Sequence, residues 1–71
     1  MNNEKIFDFL YKDSYNRMLT YCISRRIKQE DAEEIVDEAF GRLWKKFDQI
    51  NDQSVDKLEI WLNRAVKKYY L

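Results

Sequence analysis

The chain has 71 residues, enough for one small domain, and its single glycine and lack of proline leave little of the turn chemistry that β-rich folds need. It has no histidine and one cysteine, which excludes a disulfide within the chain and the commonest metal and nucleophile constellations. Thirteen basic and thirteen acidic side chains give a net charge of zero, a total that by itself argues against nucleic-acid binding. We expect a helical binding domain without a cofactor, and not an enzyme.

Three segments repeat apolar residues with the spacing of an α-helix. The first covers about residues 4–26, where Phe7, Tyr11, Tyr15, Met18 and Cys22 follow one another at steps of three and four. The second covers about residues 29–47, with its stripe running from Ala32 to Phe47, and the third about residues 54–70, from Val55 to Tyr69. The prediction is an all-α fold, a compact three-helix bundle that forms a single domain over residues 1–71.

Short polar links join the predicted helices at residues 26–29 and 48–54. The first link has no glycine for the left-handed cap that commonly ends a helix. Ser54 is the expected N-cap of the third helix. At the start of the second helix two alternatives stay open. Asp31 and Glu34 fit a capping box, or the acidic block lies inside the first turns and stabilises the helix through its dipole.

The charges are unevenly distributed along the chain. Residues 1–30 carry six basic and four acidic side chains, a net charge of +2. Residues 31–56 carry three basic and eight acidic side chains, a net of −5, and residues 57–71 carry four basic side chains and Glu59, a net of +3. An acidic middle and a basic end suit a protein that presents different faces to different partners.

The acidic middle forms one outward ridge of the second helix, opposite its apolar stripe: Glu30, Glu34, Asp37, Gly41 and Lys45. Paired carboxylates such as Glu34 and Glu38 could hold a metal or act as acid and base, but no histidine or pocket-forming loop supports this. Two interpretations of the ridge therefore remain: a face exposed only to solvent, or a surface that binds a partner. Gly41 favours a partner, because glycine within a helix costs about 1 kcal/mol relative to alanine and allows another helix to approach closely.

The basic end places cations beside an aromatic ring. Lys57, Trp61, Arg64 and Lys68 follow at steps of four, three and four, and Tyr69 and Tyr70 come next. Cations that hold phosphates and rings that stack bases suit single-stranded nucleic acid. The alternative is that Trp61 is a half-buried core residue and that the cations keep the helix soluble.

Other classes of protein are disfavoured. No apolar run is long enough to cross a membrane, and the N-terminus lacks the apolar stretch of a signal peptide. Cys22 lies within an apolar stripe, which fits packing in a reducing compartment, so we expect a cytoplasmic protein that makes no membrane contact. Residues 24–30 do not offer the turn of a helix-turn-helix repressor, and the acidic second helix would repel the major groove.

Two runs of residues carry a resemblance that covers nearly the whole chain. Residues 31–44, DAEEIVDEAFGRLW, and residues 57–65, KLEIWLNRA, resemble region 2 of bacterial RNA polymerase sigma factors. The closest likeness is to the compact extracytoplasmic-function branch of the sigma-70 family. The first helix is similar too, with Phe7, Leu10, Tyr15, Leu19 and the pair Tyr21-Cys22 at the family's spacing.

The resemblance implies two binding surfaces of a transcription initiation module. The second helix would dock on the coiled-coil clamp helices of the polymerase β′ subunit, and the matching positions are Glu34, Asp37, Glu38, Phe40 and Trp44. Gly41, on the outward ridge, joins this set. The third helix would contact and help melt the promoter −10 element and hold the non-template strand, through Trp61, Asn63, Arg64, Lys67 and Lys68. Lys57 joins that set from its spacing.

The chain departs from the family pattern at three places. Asp37 stands where glutamine is usual, and Lys68 where many members have asparagine. The sequence also stops at Leu71, before the segment that reads a flipped −10 base, and it contains no region 4 for the −35 element. The chain is then either a fragment of a longer factor or a region 2-only protein whose −35 reader is a separate chain.

A second function stays open beside the first. A degenerate or split sigma factor of this kind would be a helical protein-interaction module without DNA binding of its own, which occupies a partner. The further partners that the resemblance suggests are an anti-sigma factor or a separate region 4 protein.

Overall fold

The computed structural model describes residues 3–69, in which three helices follow one another. They are α1 (Asn3–Ser24), α2 (Gln29–Lys46) and α3 (Val55–Lys67), with a single turn of 3₁₀ helix, Phe47–Gln49, after α2. Each α-helix packs against the other two. The part of the chain that the structure describes contains no strand. The predicted all-α three-helix bundle is confirmed.

The apolar stripes predicted for the helices meet in one core, although their members Tyr11, Val55 and Tyr69 are exposed. Its buried members come from every helix and from the 3₁₀ turn: Leu10, Met18, Cys22, Ala32, Val36, Ala39, Phe40, Leu43, Phe47, Leu58, Leu62, Ala65 and Val66. Burial of the Cys22 thiol raises its pKa, consistent with its predicted role in packing. None of the helices between residues 3 and 69 combines the length and the apolar character that a membrane span requires.

A polar contact joins α1 to α3 at the edge of this core. Within the described residues, Ser14 is the buried polar side chain, and its hydroxyl donates to Glu59 Oε1 at 3.0 Å. The same carboxylate oxygen accepts a hydrogen bond of 3.4 Å from the Arg17 guanidinium, which also lies 3.0 Å from Asp13. The buried hydroxyl is therefore satisfied, as the low dielectric of an interior requires.

The first helix is shorter than predicted, ending at Ser24 instead of residue 26. The Arg26 N–H donates to the Ile23 carbonyl at 2.9 Å, and the Ile27 N–H donates to the Cys22 carbonyl at 3.3 Å. These two bonds form a Schellman motif, which needs a residue in the left-handed region. Because no glycine is present, Arg26 takes that conformation, with φ of 69°.

The other boundaries also shift slightly. The second helix, predicted to reach residue 47, ends at Lys46, and Phe47 begins the 3₁₀ turn. There the Gln53 side-chain amide donates to the Phe47 carbonyl at 2.9 Å. The third helix, predicted over residues 54–70, covers Val55–Lys67, and Tyr70 lies outside the described residues.

The capping predictions are confirmed only in part. Ser54 is the N-cap of α3, but its side chain makes no capping bond. Instead its N–H donates to the Asp52 carboxylate at 3.1 Å, which lowers the pKa of Asp52. The N-cap of α2 is Lys28, so the capping box of Asp31 and Glu34 is wrong. Asp31 lies in the first turn of α2, where the helix dipole favours an acidic side chain.

Replacing Arg26 by glycine tests the strain at the end of α1. We expect Arg26→Gly to raise the free energy of unfolding by about 1 kcal/mol, because a left-handed backbone is costly for any residue with a Cβ. Equilibrium urea denaturation followed by circular dichroism measures the change. Arg26→Ala is the matched control, since it removes the charge but keeps the Cβ, and its stability should stay close to that of the wild type. Equal stability of the two variants would contradict this account.

Candidate functional site

The outer face of α2 is open to solvent. We define it by the predicted positions Glu34, Asp37, Gly41 and Trp44, all of which are exposed. Trp44 leaves 46% of its surface accessible. This face therefore combines an aromatic ring, of a kind enriched at protein interfaces, with acidic side chains that complement a basic partner.

Phe40 does not belong to this exposed surface, although the sequence predicted it as a contact. It is only 2% exposed, and its ring lies 5.7 Å from Phe7 and 5.1 Å from Tyr11, measured between centroids. The Trp44 ring in turn packs edge-on against Phe7 at 5.2 Å. The aromatic cluster between α1 and α2 therefore packs beneath the Trp44 ring. Phe40 is a buried member of this cluster and belongs to the core.

Asp37 is held at the seam between α2 and α1. Burial of the Tyr15 phenol, with its hydrogen bond to the Asp37 carboxylate, raises the pKa of Tyr15 to about 12. The neutral phenol donates this hydrogen bond, and the Asp37 carboxylate accepts it. This contact places a carboxylate on the side of the outer face nearest α1.

Gly41 lies beside a hollow between α1 and α2. The hollow has a volume of about 520 Å³ and is lined by Glu4, Phe7, Asp8, Gly41 and Trp44. A Cβ added to Gly41 would meet no atom within 4 Å, so packing inside the domain does not require glycine here. The sequence-based argument that Gly41 serves an approaching partner therefore gains support.

Glu38 lies on a different side of α2 from Asp37. Its Oε1 is 3.3 Å from the Arg42 guanidinium, and its carboxylate accepts a hydrogen bond from the Tyr69 hydroxyl, which raises the pKa of Tyr69. The Arg42 guanidinium also lies 5.7 Å from the centre of the Tyr69 ring. Glu38 is thus engaged with residues that lead toward α3.

The predicted DNA-binding residues, which lie on α3 and at its C-cap Lys68, occupy two flanks. Trp61, Arg64 and Lys68 line a hollow of about 260 Å³ beside α2. Asn63 and Lys67 line a separate hollow of about 270 Å³ beside α1, together with Arg17 and Glu59. Lys57 is exposed near the start of α3 and lines neither hollow. The structure therefore does not bring all six residues together.

Comparison with known protein families shows to which family the chain belongs. The family model for Sigma-70 region 2 matches residues 10–71 of the chain. The chain belongs to the sigma-70 family as a region 2 domain. Searches of curated proteins and of solved structures gave no match. The family acts in transcription initiation by binding the RNA polymerase core and promoter DNA, and it is not enzymatic.

Two cations of this region 2 domain escaped the sequence-based prediction. Arg42 and Lys46 line the same hollow as Trp61, Arg64 and Lys68, although they belong to α2. The net charge of each segment did not reveal these two cations, because residues 31–56 are acidic in sum. Arg42 and Lys46 are four residues apart and therefore share one side of the helix, on the side of the apolar stripe away from Trp44. That spacing is the signal from which the sequence could have predicted this pair of cations. No group of three side chains that could hold a metal ion occurs in residues 3–69.

Proposed function

We propose that this region 2 domain docks on the clamp helices of the polymerase β′ subunit through the outer face of α2, and contacts the −10 non-template strand through α3. The observation that carries the proposal is the separation of surfaces. An acidic face with an exposed tryptophan lies on one side of α2, and a basic flank with a second tryptophan lies along α3. The domain would then join polymerase and promoter in the cytoplasm of a bacterium.

The docking surface has the features of a protein-binding site. Trp44 supplies a rigid ring of the kind that carries much of the binding energy at interfaces, and Phe7 fixes its position. Glu34 and Asp37 add negative charge around it, which attracts a basic partner and orients the encounter. Gly41 leaves room for the partner's backbone or side chains.

Along α3, the chemistry suits a DNA single strand. Arg64 and Lys68 are exposed cations that line the same hollow as Trp61, which is half-buried with its ring packed against the core. Stacking of a base on such a ring contributes about 1–3 kcal/mol and tolerates any base. Contacts of this kind hold an opened strand and leave sequence preference to other groups.

Charge reversal on the outer face tests the docking. We expect Glu34→Lys and Asp37→Lys each to abolish co-purification with the core polymerase, because a like charge then faces a basic partner. Helicity should stay unchanged by circular dichroism. Asp56→Lys is the matched control, since it makes the same charge change at an exposed position of α3. Binding by both α2 variants at the level of Asp56→Lys would reject the docking surface.

Gly41→Ala separates stability from binding. Because the added methyl group meets open space, we expect the free energy of unfolding to rise by about 1 kcal/mol, the usual gain within a helix. The same methyl group should weaken binding to the core polymerase, which a pull-down with graded polymerase concentrations measures. A more stable variant that binds as well as the wild type would show that the partner does not approach Gly41.

A further inference from the structure

The groove between α2 and α3 is strongly basic. We define it by the six residues that line the hollow there: Arg42, Lys46, Trp61, Arg64, Ala65 and Lys68. Four of them are cations, and none of the described residues that line the groove is acidic. Two of the cations come from α2, the helix whose outer face carries Glu34 and Asp37. A polyanion is the ligand that such a groove favours, because each neutralised phosphate releases a counterion.

We propose that Arg42 and Lys46 bind phosphates of the same DNA single strand that α3 contacts, so that the strand lies in the α2–α3 groove. The proposal rests on the DNA contact of the proposed function and extends it to a second helix. Phosphate contacts from two helices fix the position and direction of the strand, which cations on one helix do less well.

Aromatic rings at the groove suit bases as well as phosphates. Trp61 is half-buried in the groove, and Tyr69 is 36% exposed. The Arg42 guanidinium lies 5.7 Å from the centre of the Tyr69 ring. The groove therefore places cations and stacking surfaces side by side, the combination that binds single strands irrespective of sequence.

The opposite flank of α3 is a weaker candidate for the strand. Its hollow beside α1 contains Arg17 and Lys67, but the Arg17 guanidinium already lies 3.0 Å from Asp13 and 3.4 Å from Glu59. These carboxylates offset the positive charge and would repel phosphates. The α2–α3 groove therefore retains the larger uncompensated positive charge.

One carboxylate competes with DNA in the groove region. Glu38 Oε1 lies 3.3 Å from the Arg42 guanidinium, and both side chains are about half exposed. An exposed ion pair of this kind is weak, so a phosphate can displace it. Removing the charge of Glu38 should therefore make Arg42 more available and strengthen DNA binding by the isolated chain.

Fluorescence anisotropy with the 71-residue chain tests the proposal. The probe is a fluorescein-labelled single-stranded oligonucleotide with a −10-like sequence, titrated over a range of salt concentrations. We expect Arg42→Gln and Lys46→Gln each to weaken binding several-fold. Each should also lower the slope of log affinity against log salt by about 0.7, the value for one phosphate contact on a single strand. Glu38→Gln should tighten binding several-fold, a gain that misfolding cannot produce.

Lys12→Gln is the matched control, because it removes one charge from an exposed position of α1 that does not line the groove. Its affinity should stay close to that of the wild type. One outcome is that Arg42→Gln and Lys46→Gln behave like this control while Arg64→Gln and Lys68→Gln weaken binding. In that case the proposed contact between α2 and the DNA strand is rejected, and the proposed function stands. If Arg64→Gln and Lys68→Gln also behave like the control, or if the chain does not bind the oligonucleotide at low salt, DNA contact by the domain is rejected as well. Unchanged or weaker binding by Glu38→Gln would overturn the inference that Glu38 competes with DNA phosphates for Arg42.

Discussion

The packing of α2 against both neighbouring helices determines which surfaces of the domain stay open. Its buried residues Ala32, Val36, Ala39, Phe40 and Leu43 face α1 on one side and α3 on the other. This burial leaves the outer face and the flank toward α3 open. The outer face carries Asp37 and Trp44, and the flank toward α3 carries Arg42 and Lys46. Every candidate surface of the domain follows from how α2 is oriented in the bundle.

A net charge of zero results from this orientation and does not describe any surface of the protein. Glu34 and Asp37 of α2 face outward, while Arg42 and Lys46 of the same helix face the basic flank of α3. The charges cancel in the sum but stay apart in space, and at ordinary ionic strength screening makes each surface act largely by itself. A small region 2 domain can thus offer one face to a protein and a groove of opposite charge to DNA.

Much of the fold could be predicted from the sequence, because apolar spacing alone identified three helices and most of the core. The end of α1 could not, since Arg26 takes a left-handed conformation that sequence rules assign to glycine. The family resemblance implied that Phe40 contacts the polymerase, but packing against Phe7 and Tyr11 buries it in the core. The pairing of Arg42 and Lys46 with α3 depends on the rotation of α2 in the bundle, which the spacing within one helix does not specify.

The proposed function requires that the domain bind two partners on separate surfaces. Nuclear magnetic resonance of the isotope-labelled chain tests it most directly, with a peptide of the β′ clamp helices and a −10-like single strand added in separate titrations. We expect the peptide to shift the backbone amide signals around Glu34, Asp37 and Gly41. The single strand should instead shift those around Lys46 and Arg64. Perturbation of one common set of amides by both ligands would contradict the proposed function.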